Sequence, residues 1–121
     1  RALGFVAPDA LAPLYAAASV VAYPSLREGF GLPVLEAMAQ GAPVVTSRGT
    51  ATEEVAGDAA VLVEPTSVTS IADGLDRVLS DADLADDLRR RARERAAERT
   101  WPATAAATVE VYREAAEGSS P

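Results

Sequence analysis

The chain has 121 residues, a formal net charge of −7 and 49% apolar residues, enough for one small domain with its own core. It contains neither cysteine nor histidine, which excludes disulfides, thiolate or histidine metal sites, a Ser-His-Asp triad and a histidine base within these residues. The acidic balance argues against a general nucleic-acid-binding surface, and no apolar run approaches the roughly 20 residues that span a bilayer.

Short apolar runs alternate with helical patterns, which predicts parallel βαβ units. Ala2-Leu3-Gly4-Phe5-Val6 reads as a first strand. Leu11, Leu14, Tyr15 and Ala18 follow an i, i+3, i+4, i+7 stripe, and Pro13 is tolerable there only if the helix starts close to it. Val20 to Tyr23 is a second strand. Pro33 to Gln40 is a helix, with Gly41 placed as the residue just past its C-cap. Ala42 to Thr46 is a third strand, and Thr50 with Glu53 has capping-box spacing that opens a short helix. Ala60 to Val63 is a fourth strand, closed by Pro65. Everything beyond reads as helix. Ser67 caps one with the stripe Ile71, Leu75, Val78 and Leu79; a second runs from Asp81 to about Arg99; a third opens at Thr100-Trp101-Pro102 with Val109 and Tyr112 toward the protein. Gly118 to Pro121 should fray.

Glu28-Gly29-Phe30-Gly31-Leu32-Pro33-Val34-Leu35-Glu36 carries most of the functional signal. Glycines at 29 and 31 allow positive φ and a close approach of backbone to a ligand. Pro33 suits the first helical position, where a missing N–H costs nothing. Strand, glycine turn and helix N-terminus together make an anion site of unpaired N–H groups. Two acids beside a phosphate pocket should be accepting hydrogen bonds from hydroxyls, which points to sugars attached to a phosphate. Taken singly, the acids have ordinary readings: Glu36 in a first helical turn favours the dipole, and Glu28 is a solvated loop residue. The whole arrangement shifts the balance toward a site.

The same run, Glu-x7-Glu with Gly-Phe-Gly-Leu-Pro inside it, resembles the donor-site motif of retaining glycosyltransferases of family 4. Leu3-Gly4-Phe5-Val6, Leu14-Tyr15-Ala16-Ala17-Ala18 and Tyr23-Pro24-Ser25 look like that family's run-up. Glu36-Ala37-Met38-Ala39-Gln40-Gly41-Ala42-Pro43-Val44-Val45 looks like its continuation, and Glu54 to Ala60 and Thr100-Trp101 are similar to further landmarks. The resemblance implies a GT-B protein of two Rossmann-like domains. Residues 1–117 would be the latter part of the second, an α/β domain with a parallel sheet of about four strands flanked by helices and a helical C-terminal segment. Residues 118–121 would be a frayed tail, and the N-terminal domain of the same protein would be missing.

The implied activity is transfer of a sugar from a nucleoside diphosphate sugar to an acceptor, with retention, and without metal or cofactor. Glu28 would contact hydroxyls of the donor sugar at the catalytic centre, and Glu36 would accept from the ribose diol. Backbone N–H groups of Gly29, Phe30, Gly31 and Leu32 would meet sugar and diphosphate, and backbone near Val6 the base. Such preorganised dipoles stabilise charge on a departing diphosphate. A double displacement needs a nucleophile about 5 Å from an acid; a front-face reaction with Glu28 as orienter is favoured instead. The family's upstream Arg and Lys have no match before Leu3, so these residues alone should bind donor weakly and catalyse nothing. A cytoplasmic enzyme is implied, with peripheral membrane contact of the full protein and self-association of the open faces as further expectations. Two other classes stay open: a sugar-nucleotide epimerase of the same fold, and a non-catalytic nucleotide-sugar module.

Three other features read as structural. Asp81-Ala82-Asp83 has the Asp-x-Asp pattern that binds a metal–nucleotide complex in another glycosyltransferase fold, but here it opens a helix, with Ser80 and Asp83 as a cap. The arginines from Arg89 to Arg99 alternate with acids, and Asp86–Arg90, Asp87–Arg91 and Arg90–Glu94 are i, i+4 pairs on a solvated face, favoured over contact with an anionic membrane. Trp101 reads as a core anchor rather than a stacking platform, and Tyr15 and Tyr23 as packed residues. Ser25 is either a polar site residue or a hydroxyl satisfying nearby backbone.

Overall fold

A computed structural model of the chain describes residues 1–118. Of the frayed tail expected over 118–121, residues 119–121 lie outside the described residues, and Gly118 is the C-cap of the last helix. Strands β1 (Val21–Tyr23), β2 (Val44–Ser47) and β3 (Val61–Val63) alternate with helices α1 (Pro8–Ala17), α2 (Leu32–Ala39) and α3 (Ala51–Ala56). Helices α4 (Val68–Ser80), α5 (Ala82–Glu98) and α6 (Trp101–Glu117) follow. The strands pair in parallel in the order β1-β2-β3, with Val21 opposite Val44 and Val45 opposite Val61. Parallel neighbours need a crossover, and α2 and α3 supply it.

β2 is buried along its whole length, and its alternating side chains serve two cores. Val44 packs with Val34, Ala37 and Met38 of α2, Val55 and Ala56 of α3, and Ala92 of α5. Val45 packs on the opposite face with Val61, Val63, Val78 of α4, and Ala85 and Leu88 of α5. Small residues make this possible in a chain with few aromatics. Gly74 is one: a Cβ there would lie 2.5 Å from Val63 Cγ1, so α4 rests directly on the sheet. α2 ends as its sequence predicts. Gly41, at φ +72°, donates to Met38 O at 2.9 Å and Ala42 donates to Ala37 O at 3.0 Å, the paired bonds of a Schellman motif.

Several expectations are corrected. The sheet has three strands, not about four, because residues 2–6 form none. Gly4 takes φ +67°, which no strand continues through, and Phe5 is 91% exposed. α1 starts at Pro8 and keeps Pro13 inside it. It buries no residue, and the carbonyl that Pro13 leaves without its helical donor belongs to Asp9, an exposed residue. α2 starts at Leu32, one residue before Pro33, so Glu36 falls in the second turn and not the first. Asp81 caps α5 by accepting from Leu84 N at 2.9 Å, while the Ser80 hydroxyl donates back to Asp76 O within α4. Thr50 makes no side-chain cap; Glu53 reaches Gly49 N at 2.5 Å instead.

The largest correction concerns α6. It buries none of its residues, and Trp101 is 82% and Tyr112 71% exposed. Periodicity tells which residues share a face, not what that face meets. The arginines of α5 are also less solvated than expected. Arg95 donates to Val55 O and Glu54 O, and Arg91 donates to Asp58 O, so both tie α5 to the end of α3. The Arg93 guanidinium fills the space that a Cβ on Gly41 would take. Arg90 pairs with Asp87 and Glu94, Arg91 with Asp87, and Asp86 with Arg89 rather than Arg90. Bonds from Arg91 and then Arg90 hold the Asp87 carboxyl below its usual 3.8. Among the described residues, no helix is long and apolar enough to cross a membrane.

Candidate functional site

All three strands run the same way, so β1 and β2 end at one edge of the sheet, where α2 and α3 begin. Ligand crevices of parallel α/β sheets lie at that edge. β1 ends on Tyr23 and β2 on Ser47, two residues with side-chain hydroxyls. Thr46 Oγ1 donates to Tyr23 O at 2.9 Å and fixes the end of β1. Ser25 N donates to the fully buried Ser47 Oγ at 2.6 Å, which pins the loop leaving β1. Every buried side-chain polar atom among the described residues has a partner, so these hydroxyls are structural ties at the root of the loop.

Glu28 sits half-buried in that loop. The Tyr23 phenol donates to its Oε1 at 2.6 Å. The Ser25 hydroxyl lies 3.0 Å from Arg27 O and 3.4 Å from the same Oε1. It has one proton to give, and the shorter contact takes it. Ser25 therefore ties the backbone of its own loop and only borders the site. Tyr23 has its phenol pKa pushed up, first by the hydrogen bond to Glu28, then by burial and by the charges of Glu28 and Tyr15. The phenol thus keeps its proton and donates it to Glu28 Oε1.

The glycine turn follows directly. Gly31 is the N-cap of α2 at φ +96°, a left-handed conformation open to glycine, and a Cβ on it would lie 2.8 Å from Thr52 Cγ2. Thr52 is fully buried, with its hydroxyl 2.7 Å from Thr50 Oγ1 and 3.3 Å from Ser47 O, so the start of α3 buttresses the turn. Gly29 does not take positive φ, contrary to expectation, and the space beside it is open. Val34 N donates to Gly31 O at 3.0 Å. Pro33 has no N–H, and the N–H of Leu32 has no acceptor within the helix, so the helix start presents its positive end to the loop. Phe30 and Leu32 stand half-exposed beside it.

Glu36 is exposed on the second turn of α2. Tyr15 of α1 has its phenol pKa raised by burial and then by the charge of Glu36. Glu28 to Gly31 are one continuous loop that enters α2 at Leu32, with Glu36 one turn further along. Val6 belongs to a separate irregular segment just ahead of α1. Sequence reasoning missed the supporting roles of Tyr23, Ser47 and Thr52. Their signal was position: the first two are the last residues of parallel strands. Among the described residues, no group of three or more His, Cys, Asp or Glu is placed to hold a metal ion.

Residues 1–95 match the model of a family described as Glycosyl transferases group 1. The chain is 39% identical over 113 residues to O-antigen chain mannosyltransferase B of Escherichia coli, covering 93% of this chain and 30% of that protein. It is 44% identical over 114 residues to MMP alpha-(1->4)-mannosyltransferase of Mycolicibacterium hassiacum, covering 88% of this chain and 27% of that protein. It is 41% identical over 108 residues to D-inositol 3-phosphate glycosyltransferase of Corynebacterium urealyticum, covering 88% and 26%. Among solved structures it is similar to sucrose-phosphate synthase from Thermosynechococcus elongatus, a GT-B neighbour, with a TM-score of 0.81 at 33% identity over 97% of this chain and 30% of that one. The chain spans about 30% or less of the length of these relatives.

Proposed function

The chain belongs to the glycosyl transferases group 1, and from that premise we propose that it is the donor-binding part of a retaining, family-4-type enzyme that moves a sugar from a nucleoside diphosphate sugar to an acceptor. Its relatives are named as transferases of mannose and other sugars. The observation that carries the finer proposal is the joining of Glu28 to the Gly31 turn. A carboxylate held on one oxygen by Tyr23 lies three residues before the N-cap of α2, where Leu32 N has no acceptor within the helix and Val34 N already donates to Gly31 O.

In this scheme the diphosphate lies against Gly29 to Leu32 and the start of α2, with the donor sugar beside Glu28 and the base toward Val6. The bond between the sugar's anomeric carbon and the diphosphate oxygen breaks, and negative charge grows on that oxygen. N–H dipoles that are already aligned stabilise it without reorganisation. The acceptor oxygen bonds to the same face of the anomeric carbon and its proton passes to the departing diphosphate, so configuration is kept. Glu28 takes hydrogen bonds from sugar hydroxyls and orients the ring. Glu36 takes the ribose diol. The scheme calls on neither metal nor cofactor. Arg27 and Arg48 are exposed and pair with no carboxylate among the described residues, but neither is assigned to the diphosphate. The acceptor and the partner domain belong to the rest of a two-domain, cytoplasmic enzyme.

Glu28→Gln in that two-domain enzyme tests the scheme. Nucleoside diphosphate affinity should stay the same while sugar transfer slows, because Glu28 meets the sugar and not the nucleotide. Transfer at the wild-type rate would remove Glu28 from the site. Conversion of the sugar nucleotide without any acceptor would point to an epimerase.

A further inference from the structure

Tyr23 touches neither sugar nor nucleotide in the scheme above, yet it makes the shortest contact to the residue at its centre. We infer that Tyr23 is the positioning residue for Glu28: its phenol holds Oε1 and leaves Oε2 for the donor sugar. The inference rests on the donor-site function proposed above. Its support is geometric. An O–H···O⁻ distance of 2.6 Å is that of a charge-assisted bond. Both polar contacts of Glu28 among the described residues, the phenol at 2.6 Å and the Ser25 hydroxyl at 3.4 Å, fall on Oε1.

The phenol is itself fixed. Tyr23 is paired with Thr46 in the sheet, its carbonyl is taken by Thr46 Oγ1 at 2.9 Å, and its ring packs against the core of α2 and β2. Ser47 Oγ takes Ser25 N at 2.6 Å, so the six residues from Tyr23 to Glu28 are anchored at both ends and at Ser25. A ring with few rotatable bonds aims its hydroxyl at small entropic cost. A neutral donor also does what an arginine would not. It orients the carboxylate without neutralising it, so the full charge stays available to sugar hydroxyls. Preorganisation of this kind lowers the barrier for a reacting group held in place, while a nucleotide bound elsewhere does not sense it.

The test is a cycle in the two-domain enzyme. Tyr23→Phe keeps the ring and its packing and removes only the hydroxyl. It should lower kcat about ten-fold, the order expected for one charge-assisted hydrogen bond, with nucleoside diphosphate affinity unchanged. In the Glu28→Gln background the same change should cost less than about two-fold, because Tyr23 acts through Glu28. A second readout uses the same two-domain enzyme: in a 13C-tyrosine NMR titration the Tyr23 phenol should titrate above its ordinary value of about 10, and Glu28→Gln should bring it down. Wild-type kcat in Tyr23→Phe, a full loss repeated in the Gln background, or a phenol indifferent to Glu28 would each overturn the inference. If Glu28→Gln is slow and Tyr23→Phe is not, the donor site stands and Tyr23 is only a packed residue. If Glu28→Gln transfers at the wild-type rate, the donor site falls and the inference with it.

Discussion

One proton lies between the Tyr23 phenol and Glu28 Oε1, 2.6 Å apart, and its loss has a predictable effect on stability. In the unfolded chain the phenol titrates at its ordinary 10.0, and in the folded chain above it, the hydrogen bond to Glu28 being the main cause. Between those two values the native state holds more protons than the unfolded state, so stability falls as pH rises. The contribution is complete below pH 10 and disappears as pH passes through the folded value, where phenolate and carboxylate repel each other. Denaturant titrations should therefore show a steeper alkaline loss in the wild type than in Tyr23→Phe. Parallel curves would mean that the phenol and carboxylate are not coupled. Sequence alone marked Glu28 and Gly31, because a glycine at φ +96° before a helix leaves a trace in residue type. It did not mark Tyr23 as more than a packed residue, since a tyrosine looks the same whether its hydroxyl meets water or a carboxylate. Gly29 carried the same residue-type signal as Gly31 and takes no positive φ. Residue type permits a conformation without requiring it.

At the scale of elements, α5 is held to α3 by its arginines, and the roles within that face differ. Arg95 donates to two main-chain carbonyls at the end of α3, at 3.1 and 2.8 Å, and its side chain is about three-quarters covered. Helix C-terminal carbonyls lack intrahelical partners, so a guanidinium there satisfies groups that otherwise need water. Arg95→Ala should lower stability by about 1–2 kcal/mol, as for loss of charge-assisted hydrogen bonds partly open to solvent. Among the described residues Arg90 bonds only to Asp87 and Glu94 of its own helix, and it is mostly exposed. Such surface pairs contribute little, and Arg90→Ala should leave the unfolding midpoint within experimental error. Equal losses in the two variants would contradict this division. The helices after Pro65, and the caps Ser67 and Thr100, were legible because caps and stripes are local signals. The arginine ties were not, as they join residues 40 positions apart. The first strand was misread because a short apolar run says nothing about whether a neighbour is there to pair with.

At the scale of the whole molecule, the two cores close without α6. The helix buries no residue, and the sheet is covered by α2, α3, α4 and α5. Removing residues 101–121 should leave the stability of the rest within about 0.5 kcal/mol, as expected for changes remote from any buried contact; a larger loss would show that α6 is part of the folding unit. Fold class was legible from the alternation of runs, whereas the exposure of Trp101 depends on where the chain turns after Arg99. The central claim is that the edge of this sheet takes a nucleoside diphosphate sugar, and Glu36 gives it its most direct test. Because Glu36 lies in the second turn of α2, a role in countering the helix dipole, which fades beyond the first turn, explains it poorly. If it accepts from both ribose hydroxyls, Glu36→Ala in the two-domain enzyme should weaken nucleoside diphosphate binding by roughly one to two powers of ten, measured by calorimetric titration. A ligand lacking one ribose hydroxyl should bind the wild type similarly worse, yet cost the alanine variant little more. Losses that simply add, or an alanine variant that binds like the wild type, would contradict the account.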